Sequence, residues 1–354
     1  MLQREDNPRL RKNNFDLLRL LFAGTVCFVH AYELSGYEPL SWISQILSSE
    51  IAVKSFFVVS GFLIFMSYER SSSLTSYVNK RIRRIYPAYF TVILLAALGL
   101  VFVSTKSVSE YFSFEWVKYL TANLAFLNFI QPSLPGVFEL NRYTAVNGAL
   151  WTLKVEVMFY ISVPILVYLF RKFSTAGILA LTYILSVVYA LITNSLAQQI
   201  GSGLYAELSH QLPAQLAYFM AGAFFYYYLP FFEKYAGFFL GAGGLILFAD
   251  YFYSLPFLEP FALAAVVAFF GLFLYIGNFG KYGDFSYGIY ILHFPIIQIF
   301  LQYGWLSETP WLYLGSVLTL TLIAGFAMWH LVEKRFLLRS SHYISETAQA
   351  VSLQ

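Results

Sequence analysis

An Arg and a His are the first residues whose types and spacing suggest chemistry. The run that begins Asn14-Phe15-Asp16-Leu17-Leu18-Arg19 stays apolar as far as His30, eleven residues beyond Arg19. Eleven helical steps of about 100° close to within about 20° of the start, so both side chains leave one face, about 16 Å apart along the axis. Such a pair can line one cavity. Alternatively, Arg19 snorkels to the headgroups and His30 bonds a neighbouring helix. Asp16 is three residues before Arg19 and can pair with it on the same face.

Other ionisable groups also interrupt apolar runs, and each needs a reason to be there. Lys54 precedes Phe56-Phe57-Val58-Val59-Ser60-Gly61-Phe62, where Ser60-Gly61 also permits close helix approach. The loop from Arg70 ends in Lys80-Arg81-Ile82-Arg83-Arg84-Ile85-Tyr86-Pro87. Those cations anchor a membrane face, or Arg81, Arg83 and Arg84 hold a phosphorylated ligand through the bidentate geometry of guanidinium. Trp151-Thr152-Leu153-Lys154-Val155-Glu156 places Lys154 and Glu156 on different helix faces. Each then needs a partner from another span, which argues for a polar cavity or an interhelical ion pair. Ser286, Tyr290 and His293 share one helical face near the start of a late span. Trp329 to Phe336 reads as an interfacial anchor.

The elements that position these residues follow from composition. Of 354 residues, 59% are hydrophobic and only 12% charged, with 37 Phe and 28 Tyr. A water-soluble domain of this size exposes too much surface to hide that much apolar side chain. Nothing in the balance points to nucleic acid. The single cysteine, Cys27, excludes an intrachain disulfide and a cysteine metal site. A span needs about 20 apolar residues. Ten windows qualify, at 15–34, 49–69, 85–103, 146–170, 174–193, 212–232, 235–254, 257–277, 284–303 and 310–332. The short apolar stretch 115–130 reads as re-entrant or interfacial. With a cytoplasmic N-terminus, sixteen of the 22 Lys and Arg fall on the cytoplasmic side, Arg4 and Arg339 among them. The expectation is an all-α polytopic membrane protein of about ten helices around a polar cavity, both termini cytoplasmic. It divides into a leading segment 1–14, a transmembrane domain 15–337 and a tail 338–354.

Taken in order, these pieces resemble the acyltransferase-3 family of bacterial membrane acyltransferases. The matching residues are Asn14 to Arg19 with His30, Phe56 to Ile64, Arg81 to Pro87, Trp151 to Glu156, Ser286 to His293 and Val332 to Phe336. The resemblance runs from about residue 13 to 337. It implies about ten spans in the bacterial inner membrane and O-acylation of a cell-surface glycan such as a polysaccharide or lipopolysaccharide. Acetyl-CoA would be the donor, with no metal, and Arg19 and His30 the functional pair. Many members have two adjacent acidic residues where this chain has Glu156 followed by Val157, so a role that needs both is in doubt.

Acyl transfer needs a base for the acceptor hydroxyl, oxyanion stabilisation and alignment. His30 is the candidate base, or becomes acylated itself. Glu156 is the candidate to orient its ring, and Asp16 and Glu33 are weaker candidates. Arg81, Arg83 and Arg84, with Lys54, would hold the acyl-CoA. Trp151, Lys154, Tyr290 and Ser286 would face the acceptor, a lipid-linked or surface glycan. Loops 35–48 and 104–145 would offer aromatics to its sugars. A secondary transporter or flippase of a glycan would also bury charge, but no internal repeat of the kind many transporters show is present.

Overall fold

The computed structural model describes residues 7–338 together with Ser341 and Tyr343. Arg4, Arg339 and most of the expected C-terminal tail lie outside the described residues. Helix makes up 77% of the described residues, and no strand occurs among them. The all-α expectation therefore holds.

Among the described residues, eleven helices have ten or more residues: α1 (Phe15–Ser35), α2 (Ser49–Glu69), α3 (Leu74–Gly99), α4 (Phe114–Leu124), α5 (Trp151–Lys172), α6 (Thr175–Ile200), α7 (Leu212–Tyr227), α8 (Ala236–Tyr253), α9 (Glu259–Leu272), α10 (Ser286–Gln302) and α11 (Pro310–Met328). A π-helical turn, Trp329–Glu333, continues α11. Among the described residues, seven segments are long and apolar enough to cross a bilayer, built on α1, α2, α3, α5, α6, α8 and α11. The protein is multi-pass.

Each of the ten expected windows holds a helix, but α7, α9 and α10 have only 16, 14 and 17 residues. The count of ten spans is thus not confirmed by helix length. Local chemistry explains two of the short ends. Asn14 donates its amide to the carbonyls of Phe270, Phe273 and Leu274 and accepts from the Ile276 N–H. It thereby takes up carbonyls that a longer α9 would have bonded itself. Asp284 accepts from the Ser286 N–H at 3.1 Å, so α10 starts at Ser286. The segment 115–130 forms α4 and then turns at Ala125.

The basic stretch at residues 80–84 is helical, which corrects its reading as a loop. α3 begins at Leu74, where Ser73 accepts from the Ser76 N–H at 3.1 Å, and runs through Pro87. On a helix Arg81 and Arg84 share a face and Arg83 does not.

The chain forms two compact units. Unit 1 comprises residues 1–18, 53–78 and 155–278. Its core stacks Phe159 on Phe219 at 4.1 Å, with Phe57 edge-on to Phe159. A Cβ on Gly61 would collide with the Phe219 carbonyl, and one on Gly222 with that of Val58. Gly61 therefore lets α2 and α7 touch backbone to backbone, the close approach its sequence context suggests. Pro164 inside α5 frees the Tyr160 carbonyl, and the Tyr77 hydroxyl donates to it at 3.1 Å.

Unit 2 comprises residues 19–52, 79–154 and 279–354. Here Gly288 of α10 meets Gly325 of α11. Pro295 inside α10 frees the Ile291 carbonyl, and Asn147 donates to it at 2.8 Å. Gln298, fully buried, donates to the Ala145 carbonyl at 2.8 Å and accepts from Asn141 at 2.9 Å. The connection before α5 is thereby strapped to α10. Within that connection, burial holds the Tyr111 and Tyr119 hydroxyls above the usual tyrosine range. Tyr111 stays a neutral donor, to the Ala97 carbonyl at 3.0 Å.

Candidate functional site

Two polar centres lie in unit 2, one at each end of the contact between α1 and α10. At the first, His30 Nδ1 is 2.8 Å from His293 Nε2, with the rings stacked at 5.1 Å. His293 is 0% exposed, and its Nδ1 lies 2.6 Å from the Tyr290 carbonyl oxygen. His30 is only partly buried. It is the more exposed imidazole of the pair, and His293 is sealed. The Tyr290 hydroxyl is 2.8 Å from Thr152 Oγ1, which fixes the start of α5 against the α10 turn that carries His293.

The second centre is ionic. Asp284 accepts from both Arg19 and Arg84, and Ser286 donates its hydroxyl to the same carboxylate. Arg84 also reaches Glu333 at 3.2 Å. Tyr343 bonds Arg19 and Asp284 through its hydroxyl and lies edge-on to Trp329. Two guanidiniums and two carboxylates balance each other here, as buried charge requires.

Because Arg19 meets Asp284 and His30 meets His293, α1 and α10 run in the same direction. The ionic centre and the imidazole pair are then separated by the eleven-residue spacing of α1, about 16 Å. Arg19 and His30 therefore serve two centres of one helix contact.

The structure brings some of the expected residues together and separates others. Arg19, Arg84 and Ser286 converge on Asp284. Tyr290 touches the Trp151-Thr152 segment through Thr152, and Lys154 lies 4.5 Å over the ring of Phe129. Arg83 is exposed and donates to the Phe336 carbonyl at 3.3 Å, and Arg81 is half-buried. The three arginines thus do not form one cradle, because a helix cannot turn them to one face. Lys54 and Glu156 belong to unit 1. Lys54 pairs with Glu259 at 3.0 Å, and Tyr218 donates to that carboxylate at 2.7 Å. Glu156 accepts from Tyr160, one turn along α5, at 2.7 Å. The partner of the His30 ring is an imidazole, not the expected carboxylate.

Sequence reasoning missed His293, Asp284, Glu333 and Tyr343 as members of these centres. For His293 the signal was present: it is ionisable, within a span, and on the face of Ser286 and Tyr290. Asp284 and Glu333 sit near basic residues at span ends, where an anchor reading is natural. Among the described residues, no group of three or more His, Cys, Asp or Glu is placed to hold a metal ion.

Apolar helices of membrane-crossing length that enclose an imidazole pair and a balanced ionic network define a multi-pass membrane protein with a polar interior site. The chain belongs to the acyltransferase-3 family, whose model, described as an acyltransferase domain, matches residues 12–330. An O-acetyl transferase of Shigella phage Sf6 is similar along its whole length, 29% identical over 355 residues, or 95% of this chain and 99% of the relative. Nodulation protein 10 of Rhizobium leguminosarum bv. viciae is 37% identical over 177 residues. That match spans about half of each protein, 48% of this chain and 47% of the relative. No solved structure matches the chain.

Proposed function

We propose that the protein moves an acyl group, acetyl in the simplest case, from cytoplasmic acyl-CoA to a hydroxyl of a cell-surface or periplasmic glycan. The single observation that carries the reading is the His30 ring. It is partly open, it lies inside a membrane span, and its Nδ1 is engaged by His293, so Nε2 is left for substrate.

In this reading His30 Nε2 takes the proton of the acceptor hydroxyl as its oxygen attacks the thioester carbonyl. The tetrahedral oxyanion collapses, the C–S bond breaks, and the departing thiolate leaves as thiol with the proton from His30. Lys154 and Tyr290 are the candidate donors to the oxyanion. Arg81 and Arg83, from different faces of α3, are the candidate contacts for the donor's phosphates. The clustering of Lys and Arg supports a cytoplasmic face at Arg83 and an outer-face position for His30 in the bacterial inner membrane. A cytoplasmic donor would then serve an acceptor at the outer face, where a lipid-linked glycan presents its sugars. The name of the phage relative supports acetyl as the group transferred.

The test is acyl-CoA binding and thiol release by the purified full-length protein and by His30→Ala. Thiol release that vanishes in the variant while binding survives is the expected result. Failure of the folded wild type to bind acyl-CoA would overturn the donor assignment. Full turnover in the variant would remove His30 from the chemistry.

A further inference from the structure

His293 is fully buried, and its ring is held by bonds to His30 and to the Tyr290 carbonyl. A carbonyl oxygen can only accept, so the 2.6 Å contact to Tyr290 places a proton on His293 Nδ1. A second proton on Nε2 would make His293 a cation with 0% exposure, and its two hydrogen-bond partners include no carboxylate. His293 Nε2 therefore carries a lone pair. The 2.8 Å bond to His30 then requires His30 Nδ1 to be the donor. The chain of donors runs one way, from His30 through His293 to the Tyr290 carbonyl, and it leaves the lone pair of His30 on Nε2.

We propose that His293 is the positioning residue of the site, a neutral imidazole that fixes the tautomer and plane of the His30 ring in place of a carboxylate. The proposal rests on the reading of His30 as the base. It also accounts for the tethers around His293. Asn147 holds the Ile291 carbonyl, Thr152 holds the Tyr290 hydroxyl, and the Phe294 ring stands edge-on to His30 at 5.8 Å. A relay that sets a tautomer works only if its anchor cannot rotate, and the turn of α10 from residue 290 to 294 is held from the start of α5. When His30 takes a proton, the resulting imidazolium donates to His293 Nε2 more strongly, and no proton has to leave His293.

The test uses the full-length protein in nanodiscs with ¹⁵N-labelled histidine, and compares wild type with His293→Gln and His293→Leu. The five histidines are few enough to assign His30 by difference from His30→Ala. The glutamine amide oxygen reaches the place of Nε2 and accepts from His30, whereas leucine fills similar space without an acceptor. The expected nitrogen shifts show His30 protonated at Nδ1 in wild type and the Gln variant. In the Leu variant the proton moves to Nε2 or is shared between the two nitrogens. In acetyl-CoA turnover, His293→Leu is expected to lower kcat by about 10²-fold, as for a small misplacement of a catalytic group, with KM for acetyl-CoA unchanged. His293→Gln is expected to recover most of that loss. A wild-type His30 protonated at Nε2 would overturn the proposal even if neither variant folds. So would a Leu variant that matches wild type in both tautomer and kcat. The tautomer reading stands or falls by itself if acetyl-CoA proves not to be the donor.

Discussion

Asp284 holds two guanidiniums with one carboxylate, and Asp284→Asn removes that charge with almost no change of shape. The side chain is 2% exposed, with Arg19 and Arg84 at 18% and 15%. An Asn oxygen can still accept from the Ser286 N–H, so the start of α10 is retained and the loss isolates the ionic term. Removing one member of a buried ion pair costs about 3–5 kcal/mol, and here one carboxylate is withdrawn from two arginines, so the upper figure is expected. Glu333→Gln withdraws a carboxylate from Arg84 alone, which keeps Asp284. Loss of one charge-assisted hydrogen bond predicts about 2 kcal/mol. At about 2 °C per kcal/mol the melting temperatures should fall by roughly 10 °C and 4 °C. Cys27 supplies the assay, because it is the only cysteine and is buried in α1, two turns beyond Arg19. A thiol-reactive fluorophore therefore reports the unpacking of that helix. Adding Arg19→Leu to Asp284→Asn removes one positive charge while keeping the Arg84–Glu333 pair, and should raise the melting temperature again. An Asp284→Asn variant that melts within 2 °C of wild type would refute the account of the network as a balanced buried cluster.

Further outcomes follow from the helix contacts. Asn147→Ala should destabilise by about 1–3 kcal/mol by leaving the Ile291 carbonyl unpaired, and by less in a Pro295→Ala background, where the helix supplies its own N–H; a double-mutant melting cycle reads the difference. Gly61→Ala should lose about 1–3 kcal/mol as α2 and α7 are forced apart. Gly24→Ala, where a Cβ meets nothing within 4 Å, should be neutral or slightly stabilising by the same melt. Gln298→Ala should free the connection before α5, seen as faster limited proteolysis between residues 131 and 147 with the global melt little changed.

The helical class and the membrane setting were legible because both are written in one dimension, as long apolar runs with basic residues between them. The alignment of Arg19 and His30 on one helix was legible for the same reason, since it depends only on the helical period. What each of them meets was not. Asp16, three residues from Arg19, is the pairing that spacing offers, and the structure also gives Arg19 the carboxylate of Asp284, 265 residues away. Local spacing states which pairs are possible and says nothing of which distant helix arrives. The lengths of α9 and α10 were misjudged for a related reason. Asn14 and Asp284 end or begin those helices by capping, and a hydropathy window does not register a single amide or carboxylate. The Arg81, Arg83 and Arg84 cluster was misread once it was placed in a loop, because only a helix separates the third arginine of the motif from the second.

The depth of each centre explains why its partners differ in kind. On α1 the charged centre lies near the end that begins at Phe15, and the imidazole pair lies eleven residues further along the same helix. A carboxylate facing His30 at that depth would carry its own charge in the resting enzyme, when His30 is neutral, and would need a cation beside it. A second imidazole needs none. It accepts one hydrogen bond, passes one to a backbone carbonyl, and leaves the resting site uncharged. The price is a weaker hold on the imidazolium that forms during transfer, since no opposite charge faces it. In the proposed mechanism that cation exists only while the oxyanion exists beside it. The two charges then balance each other within the site, and a permanent counter-ion behind His30 would stabilise the resting enzyme's wrong protonation state more than the transition state.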